Sequence, residues 1–222
     1  MLKEHARAIG LLPEMRLRIE EMYALGFPTR RFETRGAWLH DPTVADWDGA
    51  MLKLRAAGLN TLCCNVCSPA YADYPSAVLP ISPRAQKNGD MVAPMMEAAR
   101  RHGISVHLWM VNFWLRMVTP QHRDELLRQE RLCLTPDGAI EPFIALCPTH
   151  EANIKLLRDA MVELAVRYRP ASVQYDYIRY MGPHFCFCRR CREKFQRDTG
   201  IVVREWPTKP SPLWRHSAKW NE

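Results

Sequence analysis

Four side chains able to hold a soft metal fall within eight positions, His184-x-Cys186-x-Cys188-x2-Cys191. Thiolate and imidazole donors bind zinc tetrahedrally, so a structural zinc knuckle that pins the loop after the fourth strand is one reading of this stretch. Free thiols or a disulfide are the other readings of the same cysteines. The short Cys186-x-Cys188 step departs from paired Cys-x2-Cys spacing, which leaves His184 either a ligand or a bystander. A second group, Cys63, Cys64 and Cys67, begins inside an apolar run, where its first two members read as small core residues. Asp176 lies near the end of another apolar run, with Arg179 three residues on. That pair is either an acid–base carboxylate kept ionised by a neighbouring cation or a structural ion pair. Cys147 and His150 precede a helix without an orienting partner. There is no phosphate-binding G-x4-G-K-[ST] loop, no G-x-S-x-G elbow and no H-E-x-x-H zinc motif. A catalytic metal is therefore not expected.

The elements that must position these groups are short apolar runs alternating with helix-period segments. Residues 1–26 read as one or two amphipathic helical pieces, broken near Gly10 and Pro13. The runs are Arg35–His40, Leu59–Val66, Ile104–Val111 and Ser172–Ile178. Helices are predicted over about 46–57, stopped by Gly58, and from an Asp90 cap to His102, stopped by Gly103. A charged piece near 120–131 and a short helix around 189–198 follow the same logic. The strongest helical pattern is 151–168, with Ile154, Leu157, Met161, Leu164 and Tyr168 on one stripe. A long Pro-, Ser- and Tyr-rich loop spans 67–89, and Pro136-Asp137-Gly138 marks a turn. Strand–helix alternation with crossovers of a dozen residues or more argues for parallel βα units. Both a doubly wound sheet and part of a (β/α)8 barrel fit, but no G-x-G-x-x-G follows the first run. His40, Asn65, Asn112 and Asp176 fall at or near the C-terminal ends of the four runs, where barrel sites assemble; strand ends also turn polar simply on reaching solvent.

The chain has 222 residues, 47% hydrophobic and 25% charged, which excludes a disordered or fibrous protein. No apolar run reaches the roughly 18–20 residues of a membrane span, and the charged start, Met1–Arg7, lacks a secretory h-region. Eight cysteines without such a signal, and no Asn-x-Ser/Thr acceptor, suit a cytoplasmic protein. The net charge of +7 is scattered through amphipathic segments with no basic run, so neither a nucleic acid nor a membrane is an expected partner. The expected organisation is a helical extension over 1–30, a partial barrel over 31–204 and a Pro/Trp-rich tail over 205–222.

Taken together, RGAWLH, AGLNTLCCNV, YADYPS, RRHGISVHLWMVNF, ALCPTHEANIKLLRDAMVELAVRY, VQYDYIRY and CFCRRCREKF resemble the glycosyl-hydrolase-like TIM-barrel groups. DYIRY resembles the glycosyl hydrolase-like family 10 group. The Tyr-Pro-Ser loop, Cys147-Pro148 and the Cys-rich stretch also resemble the hypothetical glycosyl hydrolase 6 group. The resemblance spans about residues 33–207 and implies a (β/α)8 fold with carbohydrate as substrate. It also implies that Asp176, ending the fourth strand, is a catalytic carboxylate, as nucleophile or as acid. Glycoside hydrolysis takes two carboxylates. The resemblance implies that the second comes from a later strand; Asp41, Asp73 and Glu141 lie in loops on the plausible face, without a telling motif. A full barrel needs typically ~250 residues, so the chain is expected to be the N-terminal half. A homodimer or a missing C-terminal half would complete it. Trp38, His40, Asn65, Tyr71, Tyr74, Trp109, Asn112 and Arg179 are the candidate sugar contacts, since aromatic planes stack on the apolar faces of sugars and polar side chains bond hydroxyls. Trp38 and Trp109 read first as barrel core, Tyr71 and Tyr74 as exposed, and His107 as an interior histidine. No cofactor is required, and a structural zinc is one option for the Cys-rich stretch. The rival reading is a non-catalytic half-barrel or a carbohydrate-binding module that self-associates.

Overall fold

A computed structural model describes residues 2–26, 30, 32–140, 142–182 and 185–204. Two compact units divide the chain, residues 1–35 and residues 36–222. The tail 205–222, Glu141 and His184 lie outside the described residues.

In the first unit one helix, α1 (Leu2–Gly26), runs through Pro13 without a break. The expected interruption is absent because residues 9–22 of this helix are exposed. Water can take the carbonyl that a proline leaves unpaired. Arg16 pairs with Glu20 and Arg18 with Glu21 one turn on, weak exposed contacts that favour the helix locally.

The second unit begins with β1 (Gly36–Leu39), α2 (Trp47–Ala56) and β2 (Thr61–Ser68). The stretch expected as loop contains a two-residue strand, β3 (Tyr71–Ala72), and a short helix, α3 (Pro83–Asn88). Then come α4 (Val92–His102), β4 (Ser105–Val111), α5 (Pro120–Arg128), α6 (Glu151–Tyr168), β5 (Ser172–Asp176) and α7 (Arg189–Thr199). Local chemistry sets the ends. Asp46 accepts the Gly49 N–H at 2.9 Å, and Asp90 accepts those of Val92 and Ala93 at 3.0 Å, relieving the orphan donors of α2 and α4. Gly103 closes α4 in the left-handed region at φ +64°, where a side chain is disfavoured.

The four main strands are parallel in the order β1-β2-β4-β5, and β3 adds antiparallel to β2. Each main strand lies beside the one before it. A doubly wound sheet reverses direction at a switch point; here the winding never reverses, which is the order of barrel strands. Curvature points the same way. The Cys63 thiol of β2 donates to Gln174 Oε1 of β5 at 2.7 Å, although β4 lies between their strands. On a flat sheet those strands would be about 9–10 Å apart, so this face is concave. The fold is α/β, and its four βα units agree with a partial barrel.

Alternation divides the side chains. Leu62, Cys64 and Val66 of β2, and Val106, Leu108 and Met110 of β4, pack with Trp47 and Met51 of α2, Met95 and Ala99 of α4, and Leu157 and Leu164 of α6. The α6 stripe is shifted from expectation. Ile154 is 47% exposed, and Ala160 takes a buried place beside Met161. The opposite, concave face carries Cys63, Trp109 and Val111, with Trp114 and Tyr177 against them.

Candidate functional site

Asp176 ends β5 with the parity of Gln174, which places it on the concave face. The Asp176 N–H donates to Asn112 Oδ1 at 3.0 Å, and the Asn112 N–H donates to the Asp176 carbonyl at 2.8 Å. The next residue, Tyr177, takes φ +52°, and its N–H donates to Asp176 Oδ1 at 2.7 Å. A left-handed tyrosine is a strained choice that surrounding structure must enforce. Here the turn folds its amide back onto the carboxylate. One oxygen of Asp176 is thus oriented, and the side chain remains partly accessible. Its charge reaches Cys63, whose thiol is pushed up to about 11, chiefly by burial and then by Asp176.

Two aromatic groups line the same face. Trp38 and His40 each meet Trp109 edge-on, with ring centroids 5.1 and 5.2 Å apart. Trp109 is buried, as core residues are, but Trp38 is 58% exposed. Trp38 stands on edge strand β1, where no further strand covers it among the described residues, and this corrects its reading as core. The indole Nε1 of Trp109 is buried without an acceptor among the described residues, an unusual state for a strong donor. In the second group, Trp114 lies 5.0 Å from Tyr177. The Arg179 guanidinium sits 4.8 Å over the Tyr177 ring, a cation–π placement. Among the described ion pairs, Arg179 is not joined to Asp176.

Other expected contacts prove structural. Asn65 is buried; its Nδ2 donates to the carbonyls of Cys67 and Trp109 at 3.2 and 3.0 Å. It serves the point where the β2–β4 register shifts between Asn65 and Cys67, a place that otherwise strands backbone groups. Tyr71 is buried and donates to Asn65 Oδ1 at 2.9 Å. Tyr74 is fully buried, donates to Glu163 Oε2 at 3.1 Å and meets Tyr168 edge-on. The expectation that these two tyrosines are exposed is corrected: the 69–91 excursion folds down and uses their rings as core. Asp73 is likewise buried, bonded to Ser82 and Arg84, and Asp41 pairs with Arg84 and holds the Thr43 N–H at 3.0 Å. Burial and these bonds remove Asp73 as the second carboxylate, whereas the Asp41 side chain stays 43% exposed. Asn112, also buried, reaches the site only by holding Asp176.

Among the described residues the three cysteines are joined by a fourth, Cys147. Cys147, Cys186, Cys188 and Cys191 are all buried, and their sulfurs lie within 4.8 Å of one another. Cys147 precedes α6, whereas Cys188 caps the N-terminus of α7. Sequence reasoning missed Cys147, which lies 39 positions before the first of the others; pairing it required the tertiary fold. Cys133 is buried in the same cluster. Hydrogen bonds from Cys133, Cys186, Cys188 and Cys191 toward the Cys147 sulfur hold that thiol far below the usual range. The same contacts push Cys186 and Cys191 up. His150, once a conceivable partner for Cys147, instead accepts the Ala152 N–H at 3.2 Å as the α6 cap.

Among the described residues no helix is long and apolar enough to cross a membrane. Neither a protein-family model nor a curated protein matches the chain. Solved structures similar in part include a hypothetical protein from Ruminiclostridium thermocellum, 14% identical at TM-score 0.46, over 75% of this chain and 93% of that one. A maltogenic alpha-amylase from Thermotoga neapolitana is 8% identical at TM-score 0.47, over 77% and 44%. An alpha-galactosidase from Lactobacillus brevis is 11% identical at TM-score 0.47, over 77% and 26%. This chain thus spans less than half the length of those two enzymes. What it can do is decided by its own residues.

Proposed function

We propose that the concave face binds carbohydrate and that Asp176 is one of the two carboxylates of a glycoside hydrolase. The observation that carries this reading is the oriented Asp176 at the end of β5, on the same face as Trp38, His40, Trp109, Trp114 and Tyr177. Sugar rings offer C–H faces to such planes, and the exposed His40 and Arg179 supply polar contacts for hydroxyls. Asp176 acts as nucleophile or as acid according to the spacing of its partner. A gap of about 5–5.5 Å gives retention, and about 6.5–9.5 Å, with a water between, gives inversion.

The second carboxylate comes from strands that complete the barrel. Among the described residues, edge strands β1 and β5 each have a neighbour on one side only, and unpaired edges invite further strands. A second copy of this chain or a C-terminal half fills that role in this reading. Eight free cysteines fit a reducing compartment such as the cytoplasm. Binding is tested by titrating the full chain with an oligosaccharide panel while following tryptophan fluorescence. A saturable change that weakens in Trp38→Ala supports the reading, and no response to any sugar removes it.

A further inference from the structure

Four buried thiols brought together from two distant segments call for an explanation beyond packing. Cys147 lies 3.6 Å from Cys188, 3.6 Å from Cys191 and 3.9 Å from Cys186, sulfur to sulfur. A disulfide requires about 2.05 Å, and all these cysteines are free. A tetrahedral tetrathiolate with zinc–sulfur bonds of about 2.3 Å places its sulfurs about 3.8 Å apart, close to the three distances from Cys147, and all four sulfurs lie within 4.8 Å of one another.

We propose that Cys147, Cys186, Cys188 and Cys191 bind one zinc ion and thereby staple the segment after β5 to the segment before α6. The surroundings suit thiolates. The Leu134 N–H donates to Cys186 Sγ at 3.3 Å, and the Cys191 N–H donates to Cys188 Sγ at 3.5 Å. Thr149 Oγ1 lies 3.1 Å from Cys147 and 3.5 Å from Cys191. Two of the sulfurs also lie at the start of α7, whose N-terminal end favours negative charge. Binding releases the protons still held by the four thiols and needs no oxidant. With all four positions taken by protein and all four residues buried, the ion is structural. Cys133 is an outer thiol, donating to the Leu146 carbonyl at 3.4 Å. His184 is not required. The staple fixes the chain ten residues beyond Asp176, so it also limits the excursions of Tyr177 and Arg179.

The test is metal analysis of the full chain, purified under reducing conditions without chelator or immobilised metal. Zinc near one equivalent per chain is expected, unchanged in Cys133→Ser and His184→Ala. In Cys147→Ser or Cys188→Ser it should fall below about a tenth of that. Should the serine variants not fold, Cys147→His keeps a four-donor set and should retain zinc. Cobalt(II) added to the metal-free wild type should then give the thiolate charge-transfer and intense visible bands of a tetrahedral sulfur site, altered in Cys147→His. Protein that neither carries zinc nor takes up zinc or cobalt overturns the proposal. So do zinc retained in Cys147→Ser but lost in His184→Ala, and a cobalt spectrum identical in Cys147→His. Stoichiometric iron in place of zinc overturns the choice of metal.

Discussion

Replacing Arg84 with methionine should strand a buried carboxylate. Asp73 is fully buried; it accepts the Ser82 hydroxyl at 2.6 Å and the Arg84 guanidinium at 2.6 and 3.3 Å. Burial pushes the Asp73 carboxyl up, Ser82 and Arg84 pull against it, and the net direction is upward. Removing one partner of a buried pair costs about 3–5 kcal/mol. The Arg84 side chain is 30% exposed, so water can reach the vacated side and the lower end, about 3 kcal/mol, is expected. With a urea dependence of about 2–3 kcal/mol per molar, the unfolding midpoint should fall by roughly 1–1.5 M. The pH dependence has a definite sign. A carboxyl raised in the folded state binds its proton more tightly there than in the unfolded chain. Its contribution is therefore complete at acid pH and lost as pH rises through the folded value. Losing Arg84 raises that value further, so the deficit of Arg84→Met against wild type must be largest near neutrality and shrink on acidification. Urea titrations of both proteins at about pH 7 and about pH 4.5 measure it. An unchanged midpoint at neutral pH, or a deficit that grows in acid, would refute the reasoning.

Three further outcomes follow from the packing and the site. Leu164→Ala empties a fully buried place between α6 and the sheet and should cost about 2–5 kcal/mol in denaturant titration; a loss below about 1 kcal/mol would mean that this face is not packed as described. Trp38→Ala removes a largely exposed ring, so stability should stay within about 0.5 kcal/mol. Its saccharide affinity should drop by roughly two- to tenfold, the worth of one aromatic contact; equal affinity by titration would take Trp38 out of the site. Asn112→Ala deprives the Asp176 N–H of its acceptor and should destabilise by about 1–3 kcal/mol. Turnover per folded molecule should fall with it, and full turnover in the folded variant would contradict the positioning of Asp176 by Asn112.

The legible parts of this chain were those fixed by local pattern. The four apolar runs became the four parallel strands, and the 151–168 periodicity became α6 with its bounds intact. Asp176 could be placed on the concave face from alternation alone. Long-range contacts were not legible. Tyr71 and Tyr74 lie in a Pro-rich stretch that looks solvent-facing, yet Asn65 and Glu163, remote in sequence, supply the partners that allow their burial. Cys147 sits in a Cys-Pro loop with nothing nearby to mark it as a companion of the α7 cysteines. The exposure of Trp38 was not legible because core and surface indoles share one residue type; its place on a strand unpaired on one side among the described residues is what exposes it. Pro13 ends most helices, but an exposed helix can carry it.

The most direct measurement is the release of reducing ends from an oligosaccharide panel by the full chain and by Asp176→Asn. Folding of both should be matched by circular dichroism and denaturant midpoint. The account predicts turnover of at least one sugar by the wild type and a drop of about 10²–10⁴-fold in Asp176→Asn, with binding retained. Equal turnover in the two proteins would contradict the assignment of Asp176 as an acting carboxylate, and saccharide binding with no turnover in either would rule out a second copy of this chain as the source of the second carboxylate.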